Sequence, residues 1–230
     1  GEKSPKEHDL PELERLYGVA FDDTARAYDE FKKAGATTYG SLPGKELLDK
    51  VIVSSSDTPF ARFLKALGST ASDWVRDGHT HFSGSAGGKC PYCQQKLPAN
   101  FENEIAATFD AQYQQDIRDL GQFQTTYSRE TADIVRVLQT NTADAMPSLD
   151  LKAYQERLSL LESKFEVNRQ RIAEKVKEPS KTVSLEDTDT LLLEIGAMID
   201  DINKLIKANN DVVAAKKSSK EKCKTEIMQH

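Results

Sequence analysis

Apolar residues recur through the second half of the chain at steps of three and four. Leu151, Tyr154, Leu158, Leu161, Phe165, Asn168 and Ile172 form one row. Leu191, Ile195, Met198, Ile202, Leu205, Asn209 and Val212 form a second. This alternation is the seam of a coiled coil, and a single Asn within a seam sets register at some cost in stability. Between the rows, Pro179 stops the first helix, and Ser184 with Asp187 resembles a capping box for the next. A third stripe, Phe101, Ile105, Phe109, Tyr113, Ile117, Leu120, Phe123 and Tyr127, predicts a helix from about residue 98 to about 140. Pro147 then marks a turn. The pattern predicts an all-α fold in which 98–230 is a long antiparallel helical coiled-coil bundle of three helices, with turns near 141–149 and 178–184.

The first 97 residues carry a different rhythm. Leu13, Leu16, Val19 and Phe21, then Ala27, Tyr28 and Phe31, suggest an irregular helical region. A loop follows at 35–44. KELLDKVIVSS begins helically, and SSSDTPFARFLKALG has an Asp-Thr-Pro start and a Gly68 stop. STASDWVRDG makes a last short helix, with Trp74, the sole tryptophan, expected in the core. Region 1–97 is therefore read as a small helical knob, ending in a glycine-rich CxxC loop at one end of the bundle. No strand-period segment and no internal repeat stands out.

Composition agrees with long two-faced helices. Apolar residues make up 38% and charged residues 30%, too polar for a large globular core. The net charge of −6 argues against a surface that binds nucleic acid throughout, though not against a local basic patch. No run reaches the roughly 18–20 apolar residues that span a bilayer, so no membrane partner is expected. No secretory signal opens the chain, and a cytoplasmic setting is the expectation.

Candidate chemistry concentrates in His79–Pro98, HTHFSGSAGGKCPYCQQKLP. GSAGGK is one residue short of a phosphate loop, is followed by Cys90 rather than Ser or Thr, and has no apolar strand before it. Cys90 and Cys93 have the knuckle spacing that directs two thiolates at one zinc ion, which needs four ligands. Three outcomes are open. Two chains could each donate the pair. His79 and His81, on one side of an extended segment, could complete the set within one chain. Or the cysteines carry no metal. Thioredoxin-like redox use lacks the preceding strand.

Elsewhere the bland readings prevail. Cys223 lies in a charged tail and reads as a free thiol, and KKSSKEKCK reads as a solvated helix end. Glu186, Asp187 and Asp189 suit a helix start. No nucleophile elbow, HExxH or paired His and carboxylate suggests an enzyme.

The span from Trp74, Val75 and Gly78 through Cys90-Pro91-Tyr92-Cys93-Gln94-Gln95 and Leu97 to Phe101, Phe109 and Tyr113 resembles the helical middle insert of bacterial P-loop ATPases of the anticodon-nuclease or AAA type. The resemblance covers roughly 45–127. It implies a parent ATPase whose ATP-binding head is split, with the phosphate loop before the insert and the Walker B strand after it. This chain shows neither motif. The insert would be a non-catalytic structural, dimerisation or coupling module, partnered by that head and by a second copy. Its CxxC resembles a zinc hook. The alternative is a zinc-dependent RNA- or DNA-binding module, with Lys32, Lys33, Arg62, Lys65 and Arg76 as candidate contacts.

Overall fold

The computed structural model describes residues 26–34 and 42–227, with side chains given for all of these except residue 219 and residues 221–227. Among them there are seven helices and no strands. They are α1 (Glu46–Asp49), α2 (Pro59–Leu67), α3 (Ser69–Phe82), α4 (Phe101–Thr108), α5 (Ala111–Thr140), α6 (Lys152–Lys177) and α7 (Asp189–Ile227). The chain divides into two compact units that cut it differently from a boundary at residue 97. One comprises described residues 26–34, 137–155 and 194–227, and the other 42–136 and 156–193.

The row on α6 is the interior of the helix. Tyr154, Leu158, Leu161, Phe165, Asn168 and Ile172 are all buried. Asn168 donates to Tyr127 Oη at 2.9 Å and to Glu186 O, and its Oδ1 accepts from Glu186 N. It therefore pins the approach to α7, with every polar atom matched, as burial demands.

The row on α7 turns out rotated. Leu191, Ile195 and Ile202 are buried, but the others inside are Ile199 and Ile206. Leu205 and Val212 are exposed at 58% and 52%. A strict 3.5-residue repeat holds only if the helix supercoils; a straight helix at 3.6 residues per turn drifts off it. Steps of four from Leu191 through Ile195 to Ile199 follow the straight helix. Capping also differs from expectation. Asp187 Oδ1 accepts from Asp189 N and Thr190 N, and Thr190 donates its hydroxyl to Oδ2. That hydroxyl, first among these contacts, holds the Asp187 carboxyl below its ordinary range. Ser184 takes no part in the cap; its carbonyl accepts from Arg171.

The expected single helix from residue 98 to 140 is two helices. Phe109 leaves helical geometry, and Asp110 restarts it by accepting from Tyr113 N. Ser55 donates to the same carboxylate. Phe109 and Tyr113 stay buried on either side of the break, with ring centroids 5.0 Å apart.

In the unit containing residues 26–34, that segment is not helical, contrary to the expectation for Ala27, Tyr28 and Phe31. Asparagine amides hold it. Asn210 accepts from Tyr28 N and donates to Tyr28 O. Asn203 does the same for Phe31, and Asn141 for Lys32. A primary amide offers the donor and acceptor that a backbone peptide offers, so each Asn satisfies both groups of one residue. Asn209, expected in a buried seam, instead donates to Arg26 O from a half-buried position. Phe31 packs edge-on to Tyr154 beneath this segment. Leu13, Leu16, Val19 and Phe21 lie outside the described residues.

In the other unit, the knob forms as its punctuation dictates. Thr58 caps α2 by accepting from Ala61 N at 3.1 Å, Pro59 occupies its first turn, and Gly68 ends it at φ +121°. The segment after α1 is bound to the turn after α6: Ile52 N donates to Pro179 O, and Val183 N to Leu48 O. Lys175 lies wholly buried at this junction. Its Nζ donates to Lys50 O and Pro179 O at 2.6 and 2.7 Å, and to Lys181 O. Burial pushes its pKa down, and the charges of Asp73 and Asp49 oppose that shift.

Candidate metal knuckle and apolar groove

Four elements build the candidate site. Helix α3 runs on through His79 and His81 to Phe82, longer than its sequence pattern suggested. A turn over 83–88 follows, with Gly87 and Gly88 at φ +58° and +74°. The glycines are required there, since left-handed backbone is strained for other residues. GSAGGK is thus a bend into a hairpin.

The hairpin is short and well bonded. Lys89 and Lys96 form an antiparallel bridge. Cys90 N donates to Gln95 O, Gln94 N to Cys90 O, both at 2.8 Å, and Leu97 N to Gly88 O. Cys90-Pro91-Tyr92-Cys93 is the tip. Gln94 closes it at φ +60°, the sole described non-glycine residue with positive φ. Strain of this kind, of order 1 kcal/mol or more, persists where surrounding bonds over-determine it.

The tip is arranged to favour a thiolate. Backbone N–H groups of Cys93 and then Tyr92, followed by the Cys93 side chain, hold the Cys90 thiol below its ordinary range. Both cysteines are free, and Cys93 is exposed. Two thiolates at this spacing suit zinc, and they supply half of its tetrahedral ligand set.

His79 and His81 do not lie on one side of an extended segment, as their spacing suggested. They occupy the last turn of α3, where residues two apart do not share a face. His79 Nε2 lies 3.5 Å from Glu102 Oε2, and the His81 ring lies against Phe82. Among the described residues, no three or more His, Cys, Asp or Glu side chains are grouped to hold a metal.

Beside the hairpin, α2, α3 and α4 leave an apolar groove of about 540 Å³, lined in part by Phe60, Phe63, Trp74, Phe82, Tyr92 and Phe101. Trp74 is 59% exposed, not part of the core as its sequence context suggested. Its ring lies 5.6 Å from that of Tyr92. The two rings meet at a tilt of 37°. No local sequence pattern marks this groove, because its aromatics come from four elements: Phe60 and Phe63 on α2, Trp74 and Phe82 on α3, Tyr92 on the hairpin and Phe101 on α4.

Behind the groove, the buried face of α3 is polar. Asp73 accepts from Ser180 Oγ at 2.7 Å and from Ser180 N. Its other oxygen has no hydrogen-bond partner, and Arg76 stands 4.0 Å away. Burial raises the Asp73 pKa, and the Ser180 bonds act against that rise. Arg76 donates to Tyr113 Oη, Asp77 and Lys177 O. This set ties α3 to the turn after α6 and leaves Arg76 little to offer a ligand. Of the other candidate nucleic-acid contacts, Arg62 pairs with Asp57 and Lys65 donates to Ser56 O. Lys33 pairs with Asp200 in the other unit, where Lys32 is held through its backbone. The Cys223 side chain lies outside the described ones, though the α7 backbone continues past it.

The described chain is a helical module bearing a two-cysteine hairpin on a knob of short helices. None of its described helices is long and apolar enough to cross a membrane. The chain belongs to the AAA domain family, whose model (AAA_13) matches residues 6–230. No curated protein and no solved structure matches it.

Proposed function

We propose that the chain is the helical insert of a larger P-loop ATPase of the anticodon-nuclease type. It acts as a non-catalytic arm of coiled-coil character that couples the ATPase head to a second protomer. ATP binds in the head, and the insert's own ligand is zinc, held by Cys90 and Cys93 of two copies. In that position zinc is a structural clamp and performs no reaction. The family match over residues 6–230 supports the ATPase relationship, and the resemblance around Trp74–Tyr113 supports an insert.

One observation carries the clamp: the hairpin tip sets Cys93 beside Cys90 and directs backbone N–H groups at the Cys90 sulfur, and among the described residues no third ligating side chain is grouped with them. Thiolate ligation competes with protons, so zinc affinity falls as pH drops. The test is elemental analysis of protein purified without chelator, run beside sedimentation of the same sample. The reading expects one zinc per two chains, and loss of both zinc and dimer in Cys93→Ser. Absence of bound zinc, together with no effect of added zinc on the reactivity of Cys90 and Cys93, rejects it.

A further inference from the structure

We propose that the apolar groove beside the hairpin is a self-association surface, covered by the same surface of a second copy of this chain. The inference rests on the reading of the hairpin as half of a shared metal site. It adds that the shared metal does not hold the dimer alone: the groove must be covered as well.

The exposed apolar side chains are contiguous. Phe63, Leu67, Trp74, Phe82 and Tyr92 are each 56–72% exposed and line one depression. Single exposed apolar residues are ordinary, but a cluster of this kind on one face marks an interaction surface. Its anchors are Trp and Tyr, residue types that dominate interface energetics when they become buried.

The identity of the occupant follows from the hairpin. Tyr92 lies between Cys90 and Cys93 in sequence, and Cys90 itself lines the groove. Two sulfurs bound to one tetrahedral zinc lie about 4 Å apart. Completing the set from a second chain therefore brings a second hairpin to the rim of this groove. Tyr92, and Trp74 with its ring 5.6 Å away, then lie within one side chain's reach of the other copy. A pair related by a twofold axis presents the same patch on both sides, so both grooves are covered at once. A four-residue tip alone is far too small for a stable interface, which buries about 800 Å² per partner. The aromatic wall supplies the area that the tip lacks.

The test is sedimentation equilibrium of the 230-residue chain with zinc, with chelator, and as two exposed-surface variants, Trp74→Ser/Phe82→Ser and Leu67→Ser/Phe63→Ser. Helix content by circular dichroism confirms that each variant is folded. With zinc, each double variant is expected to weaken dimerisation at least tenfold, while Co²⁺ still gives thiolate absorption at high protein concentration. A dimer of unchanged affinity in both folded variants overturns the proposal and leaves the metal site standing. A dimer that survives chelator and Cys93→Ser but is lost in the double variants supports the surface and overturns the shared metal. A monomer under every condition overturns both.

Discussion

The two units hold non-helical backbone against long helices by opposite means. In one, Asn141, Asn203 and Asn210 grip residues 28, 31 and 32 through neutral amides, each matching an N–H and a C=O. In the other, a buried ammonium, Lys175, gathers three carbonyls, and a buried carboxylate, Asp73, holds Ser180. Neutral pins lose little on leaving water, because each amide recovers its bonds. Ionic pins carry a desolvation penalty, and they bind several acceptors at once. The difference teaches where the molecule is pH-sensitive and where a single substitution does most damage.

Lys175→Met should have the largest effect. It keeps the apolar stem but strands three buried carbonyls, so unfolding free energy should fall by about 3–5 kcal/mol. Urea denaturation reads this directly, and a loss under about 1 kcal/mol would place the ammonium in water. Leu161→Ala, in the same unit, should lower stability by about 2–4 kcal/mol through a cavity. Leu205→Ala on the exposed side of α7 should change it by less than about 0.5 kcal/mol. Equal effects would undo the rotation of the α7 interior. Asn203→Ala should lower stability by about 1–2 kcal/mol, with no change in pH dependence.

Asp73→Asn gives the most diagnostic effect. Burial raises the folded-state pKa of Asp73 above 3.8, so the folded chain holds its proton more tightly than the unfolded chain. The stability this contributes is fully present below 3.8 and is lost as pH rises through the raised value. Asn keeps an acceptor for Ser180 and cannot titrate. The wild type should therefore lose stability relative to the variant across that window, by measured unfolding free energies from pH 3 upward. A difference that is flat or rises with pH contradicts the burial of Asp73.

Much of the long-helix architecture is legible because burial there repeats locally. Phe165, Asn168 and Ile172 announce their face through spacing alone. The rotation at Met198 is not legible, since Met198 and Ile199 are both apolar and only a partner surface chooses between them. The break at Phe109–Asp110 is hidden by aromatics that stay in register across it, although Asp110 followed by helix formers is an N-cap signal. Nothing in the local sequence sets Lys175 or Asn203 apart. Both depend on distant backbone that no local pattern places. In the candidate site, the CxxC spacing marks a knuckle, but neither the short hairpin that carries it nor the helix that holds His79 and His81. Nor does it reveal the exposure of Trp74, where the usual preference of tryptophan for burial misleads.

A Co²⁺ titration of the reduced 230-residue chain, followed by visible absorption, tests the central claim most directly. Tetrahedral thiolate coordination from two hairpins predicts a strong sulfur-to-cobalt band that saturates at one metal per two chains and is abolished in Cys93→Ser. Saturation at one metal per chain, or no such band at any ratio, contradicts it.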